Sequence, residues 1–215
     1  MKFKGAIFDM DGVLFDTERI YQETWQEIAV LQGITLDGSF LRAITGTRGA
    51  HMRRIVEKYY HVPDGTDVIQ KCMEQVRQKL SVHVPVKKGV REILEYFRDK
   101  GICMAVASSS ATQQIEANLQ ITGIRDYFSI IASGTEVKQG KPAPDIFLLA
   151  AERLQCDPKE CFVFEDSENG IKAGYAAGCF TVMVPDLMEP SSAILPYCGK
   201  VCSDLGQAAR EIEEM

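Results

Sequence analysis

At 215 residues, 46% hydrophobic and 25% charged, the chain has the balance of a soluble globular protein and the length for one large domain or a core with a modest insertion. Its net charge of -6 offers no basic footprint for nucleic acid, so any phosphate chemistry needs positive charge placed locally by a metal, a lysine or backbone amides. No apolar run reaches membrane length, and Met1-Lys2-Phe3-Lys4 leads straight into a strand rather than a signal peptide, which makes a cytoplasmic location the expectation.

The first apolar run, Ala6-Ile7-Phe8, stops at Asp9-Met10-Asp11-Gly12. Three buried-type residues followed by two acids and a glycine predict a buried strand that delivers carboxylates to a tight loop. Charge at the mouth of a core needs a partner, whether a metal ion, a cation or a proton. Asp9 and Asp11 are therefore read as chemistry rather than as a solvated turn.

From about Glu18 to Leu80 the spacing is helical throughout. Tyr21, Trp25 and Ile28 begin it, Met52, Ile55, Val56, Tyr59 and Tyr60 continue it, and Val68, Ile69, Cys72, Met73, Val76 and Leu80 complete it. Several helices with no strand between them predict an all-helical insertion that leaves the core after the acidic loop and returns near 81–85. The expected organisation is a core over 1–15 and 82–215 and a helical domain over 16–81.

Downstream, helical stripes alternate with short apolar runs. Val90, Ile93, Leu94 and Phe97 form one stripe, Ile115 and Leu119 a second, and Leu148, Ala151 and Leu154 a third. Strands are predicted over 104–107, 130–132, 162–164 and 181–184. Such alternation implies a parallel sheet covered on both faces, with ligands bound beyond the carboxyl ends of its strands.

Three further groups fall at those ends. Ser108-Ser109-Ser110 offers hydroxyls and amides to phosphate oxygens at the start of the next helix or, taken alone, caps it. In Gly140-Lys141-Pro142-Ala143-Pro144 the prolines hold Lys141 at a helix entrance, where an ammonium beside Asp9 would neutralise a carboxylate and an incoming phosphate; Lys138 is the rival without that support. Glu165-Asp166-Ser167 ends the 162–164 strand. Adjacent acids cannot both follow a strand's alternation toward one face, so the chain has to bend there, one acid binding metal and the other supporting it. The seven cysteines are scattered and form no Cys-x-x-Cys, which suits structural thiols in a reducing compartment better than disulfides or zinc.

In this order, and across nearly the whole chain, Asp9-Met10-Asp11-Gly12-Val13-Leu14, Ser108, Lys141-Pro142 and Glu165-Asp166 resemble the four motifs of the haloacid dehalogenase superfamily. Lys141-Pro142-Ala143-Pro144-Asp145 and Glu165-Asp166-Ser167-Glu168-Asn169-Gly170-Ile171 are similar to its branch around β-phosphoglucomutase. The resemblance implies an α/β fold, with a Rossmann-like three-layer parallel-sheet core and a small all-helical cap domain inserted after the first strand. It also implies phosphoryl transfer through an aspartyl phosphate. Asp9 is then the nucleophile, and Asp11 protonates the leaving oxygen before taking a proton from the attacking water. Asp9, Asp166, Glu165 and the backbone carbonyl of Asp11 are the implied ligands of Mg2+. Ser108, Ser109 and Lys141 are the implied phosphate ligands. A haloacid dehalogenase proper lacks the second aspartate, so Asp11 argues for phosphate over a halogenated substrate.

Where β-phosphoglucomutases contact sugar, this chain departs from them. Tyr21 stands at the position of their cap histidine, Ala111 and Thr112 replace a lysine-asparagine pair, and Gly49 replaces a cap arginine, with Arg48 beside it. These departures favour a Mg2+-dependent phosphatase of a small sugar- or polyol-phosphate-like metabolite over a hexose phosphate mutase, the runner-up. Tyr21 and Arg48 are the cap candidates for substrate choice. A non-catalytic regulatory module should have lost an essential acid or the lysine, and all are present. A phosphonatase would need a cap lysine, for which Lys58, Lys71 and Lys79 have no supporting context. The Gly-x-Gly-x-x-Gly of dinucleotide binders is absent after the first strand. The expected partner is the metabolite, with no nucleic acid and no membrane, and the expected state is a monomer.

Overall fold

Residues 3–45, 47, 49–187 and 189–215 are described by the computed structural model. The chain divides into two units, Thr17–Val84 and the combination of Met1–Asp16 with Pro85–Met215. Among the described residues the first unit is helical: α1 (Thr17–Leu31), α2 (Gly38–Ile44), α3 (Gly49–Tyr60) and α4 (Thr66–Val82). Apolar spacing buries Trp25 and Ile28 of α1, Ile55, Val56 and Tyr60 of α3, and Val68, Cys72, Val76 and Leu80 of α4. Trp25 meets Phe40 and Tyr60 edge to face, with ring centroids 5.8 and 6.1 Å apart. The Tyr60 hydroxyl donates to the Trp25 carbonyl at 2.6 Å, so burying the ring strands no polar group. No helix among the described residues is long and apolar enough to cross a membrane.

Among the described residues the second unit is built on six parallel strands, β1 (Gly5–Phe8), β2 (Cys103–Ser108), β3 (Ile130–Ser133), β4 (Cys161–Glu165), β5 (Phe180–Met183) and β6 (Lys200–Val201), in the order β3-β2-β1-β4-β5-β6. The helices are α5 (Val90–Asp99), α6 (Thr112–Ile121), α7 (Asp145–Leu154), α8 (Glu168–Ala176) and α9 (Leu205–Glu213). From β1 the chain steps outward through β2 and β3, then returns to place β4 on the other side of β1. The order reverses there, and the reversal opens a crevice beyond the carboxyl ends of β1 and β4.

Side-chain alternation fixes how β1 sits. Ile7, Ala105, Ala107 and Val163 share one apolar cluster with Phe147, Ala150 and Ala151 of α7. Phe8 points to the opposite face, stacks on Phe164 at 4.5 Å and meets Phe97 of α5. Each such buried aromatic contributes ~1.5–3 kcal/mol, and a slip of one residue would exchange the two faces.

Two details differ from the sequence reading. Leu148, assigned to the apolar stripe of α7, is 42% exposed, whereas Ile146, Phe147 and Ala150 are buried beside Ala151 and Leu154. Because α7 lies across β1, β2 and β3, its buried face is broad and turned away from Leu148. The edge strand β6 escapes a periodicity reading because it has only two residues. The passage between the units is also simple. Asp16 N donates to the Pro85 carbonyl at 2.9 Å and Phe15 bridges Val86 antiparallel, so the outgoing and returning chains run side by side.

Candidate active site

Phe8 pairs with Phe164, and Asp9 N donates to the Phe164 carbonyl at 2.9 Å. Asp9 and Glu165 therefore leave the sheet as neighbours. Alternation turns both toward the face of Ile7 and Val163, which α7 covers. Lys141, just ahead of α7, arrives on that face. Its Nζ donates to Asp9 Oδ1 and, at 2.6 Å, to Glu165 Oε1, and lies 5.0 Å from the centroid of the Phe147 ring. Only 9% of the lysine side chain and 1% of the glutamate side chain are exposed. Lys138 is exposed.

The electrostatics follow from that burial. Desolvation pushes the Asp9 carboxyl up to about 7 against the pull of Lys141, with Glu165 and Asp11 adding to the rise. Desolvation opposes the Lys141 ammonium, but the charges of Asp9 and Glu165 outweigh it and hold its pKa above the ordinary value. Lys141 is thus a fixed positive charge. Glu165 is held at its far oxygen as well: Ser167 N and Oγ both donate to Oε2 at 2.9 Å, and Ser167 Oγ accepts from Gly170 N as the cap of α8.

Asp166 follows at the bend after β4, half-buried. Gly12 lets it approach the acidic loop. That glycine has φ +83, and a Cβ there would lie 2.3 Å from Asp166 Oδ2. Asp9, Glu165 and Asp166 each offer a carboxylate oxygen within 4.8 Å of the others. Burial first, then the charges of Glu165, Asp9 and Asp186, push the Asp166 carboxyl well above the carboxylate range. Three acids facing one lysine, with oxygen donors only, fit a hard divalent cation such as Mg2+.

The remaining sequence candidates have definite places. Asp11 is half-buried, and Ser110 Oγ donates to its Oδ2 at 3.4 Å. Ser108 is buried at the end of β2 beside Ser133. Its Oγ accepts from Ser110 N at 3.1 Å, while Ser133 Oγ donates to the Ser110 carbonyl at 2.7 Å. Ser109 is exposed. The serines do not cap α6, which begins at Thr112 with Ala111 at its N-cap and no side-chain cap bond. The Ser108 hydroxyl closes its own loop instead. Tyr21 is half-buried on α1 of the helical unit, and Arg48 lies outside the described residues.

Ser133 and Gly170 shape the loops around Ser110 and Glu165; Gly170 falls within the motif quoted from the sequence but has no role assigned there, and Ser133 falls outside every motif. The Ser-x-x-Gly spacing at the start of α8 was the available signal for Gly170. Ser133 carried none, because its loop contact is set by the β2–β3 register.

The family model for haloacid dehalogenase-like hydrolases matches residues 6–184. The chain is 34% identical over 176 residues to a phosphorylated carbohydrates phosphatase of Thermotoga maritima, covering 81% of this chain and 82% of that protein. It is 34% identical over 184 residues to the fructose-1-phosphate phosphatase YqaB of Escherichia coli, covering 85% of this chain and 97% of that protein. Among solved structures, it is similar to a HAD-family hydrolase of Deinococcus radiodurans with bound phosphate and sodium. That likeness has a TM-score of 0.86 and 25% identity, and covers 99% of this chain and 96% of the other.

Proposed function

Since the chain belongs to the haloacid dehalogenase-like hydrolases, we propose that it is a Mg2+-dependent phosphatase of a small sugar- or polyol-phosphate-like metabolite, working through an aspartyl phosphate. The observation that carries this reading is the buried Lys141 bonded to both Asp9 and Glu165, with Asp166 closing the acidic cluster. The names of the two phosphatase relatives support the substrate class. The departures at Ala111, Thr112 and Gly49 support hydrolysis over mutation of a hexose phosphate.

Asp9, Asp166, Glu165 and the Asp11 carbonyl would hold Mg2+, which when bound offsets the repulsion between Asp9 and a phosphate dianion. In the first step Asp9 forms a bond to phosphorus, the ester bond breaks, and Asp11 gives its proton to the leaving oxygen. In the second, Asp11 takes a proton from water as that water attacks phosphorus, releasing inorganic phosphate and restoring the Asp9 carboxylate. Lys141 keeps its proton throughout. It orients Asp9 and, with Ser108 and Ser109, binds the phosphoryl oxygens. The helical unit, acting as a cap, excludes water from the first step and chooses the leaving group through Tyr21 and Arg48. Seven cysteines, all free, support a cytoplasmic setting.

The test is phosphate release from a panel of sugar, polyol and nucleotide phosphates with Mg2+, alongside Asp9→Asn and chelator controls. Metal-dependent release that disappears in folded Asp9→Asn is the expected result. Isomerisation outrunning release would replace the phosphatase with a mutase, and activity retained by Asp9→Asn would remove the nucleophile assignment.

A further inference from the structure

A carboxylate outside the motifs reaches the same crevice. β5 ends at Met183, opposite Glu165, and Val184 N donates to the Glu165 carbonyl at 2.8 Å. The chain then turns through Pro185 to Asp186, whose side chain is only 7% exposed. Asp186 Oδ1 accepts from Lys87 Nζ, while Oδ2 is buried with no hydrogen-bond partner among the described residues. Lys87 is anchored in turn, its backbone N donating to the Leu14 carbonyl at 2.9 Å in the loop that follows Asp9 and Asp11. Two elements thus clamp Asp186 at the strand ends.

A buried ion pair that served only to tie Lys87 to the β5 loop would gain nothing from a carboxylate oxygen without a donor, which costs folding free energy. The place of this oxygen follows from the sheet: Asp186 comes two residues after Val184, which is bonded to Glu165, so it sits in the loop beside the acidic end of β4. Mg2+ keeps several of its waters in protein sites, and those polarised waters need acceptors.

We propose that Asp186 is a positioning residue for the cation held at Asp9, Glu165 and Asp166. Its Oδ2 accepts a hydrogen bond from a water carried on the ion, and Lys87 fixes its orientation. The inference rests on the metal-dependent reading above.

The experiment titrates Mg2+ into the metal-free full chain, following the thermal midpoint, for wild type, Asp186→Asn and Lys87→Met. The Mg2+ dependence of phosphate release is read in parallel. Wild type should gain thermal stability with Mg2+. Asp186→Asn should need ~10–100-fold more Mg2+ for half of its shift, and the same factor should appear in the Mg2+ concentration for half-maximal release. Lys87→Met, which keeps the carboxylate but frees it, should move both in the same direction by a smaller factor, and it decides the matter if Asp186→Asn does not fold. Wild-type half-saturation in both variants, with only their metal-free stability lowered, would reduce the pair to a structural tie and overturn the proposal. A wild type with neither a thermal shift nor a metal requirement would remove the metal reading, and this inference with it.

Discussion

Gly170 stands so close to Glu165 that a Cβ on it would lie 1.8 Å from the carboxylate carbon. With Ser167 N and Oγ both bonded to Oε2, the glutamate has a single position from which to meet Lys141. Gly170→Ala is expected to push the carboxylate out of that position and lower kcat/KM about 100-fold, the scale of a 1 Å misplacement in an active site. Steady-state kinetics measure it, with circular dichroism confirming that α8 and the sheet remain.

Lys141→Met leaves Asp9 and Glu165 buried without their cation. Breaking a buried pair from one side costs about 3–5 kcal/mol, and urea unfolding in chelator should register a loss of that size, partly restored by Mg2+. Adding Asp9→Asn to Lys141→Met should recover stability relative to the single variant, since one of the stranded charges is then gone. Strict additivity of the two changes would mean that the residues do not sense each other.

Stability should depend on pH with a sign set by the raised carboxyls. Burial pushes Asp9 from an ordinary 3.8 to about 7. Between those values the unfolded chain has released a proton that the folded chain still holds, so stability falls as pH rises through the window and levels off above it. Asp37, Asp64, Glu136, Asp204 and Glu211, held low chiefly by side-chain hydrogen bonds, act in the opposite sense only in more acidic solution. Calorimetry in chelator should show a lower Tm at pH 7.5 than at pH 5.5. Mg2+, by favouring the ionised carboxylates, should shrink that difference. A Tm that rises across this range in chelator would contradict the assignment.

Thiol reactivity should be confined. Burial pushes Cys72 and Cys179 up to about 12 and Cys202 up to about 11, so all three remain thiols at pH 8, where the thiolate is the reactive form. Cys103 is exposed. Timed alkylation read by mass spectrometry should show one fast adduct, and Cys103→Ser should abolish it.

The parts of the molecule legible in the sequence are those that local rules govern. The run Ala6-Ile7-Phe8 into two acids marks a strand and its mouth without tertiary information, as does Phe162-Val163-Phe164 into Glu165. Lys141 stands out because Pro142 and Pro144 follow it. Residues whose surroundings are assembled from distant elements do not stand out. Leu148 matches the apolar spacing of α7 as well as Phe147 does, and only the breadth of the sheet beneath decides which of them is covered. The serine run resembles a helix cap until Ala111 takes that position. Lys87 and Asp186 are partners 99 residues apart in the chain, a separation over which no periodicity operates.

The chain departs toward its helices at Asp16 and comes back at Pro85, and those two residues share a hydrogen bond of 2.9 Å. A segment whose ends already touch is a cassette. It can be lengthened, trimmed or exchanged at a loop-closure cost that grows only slowly with its length, while every strand keeps its neighbour. With the helices choosing the substrate as proposed, new preferences would accumulate there over generations without a single acid at the strand ends having to move.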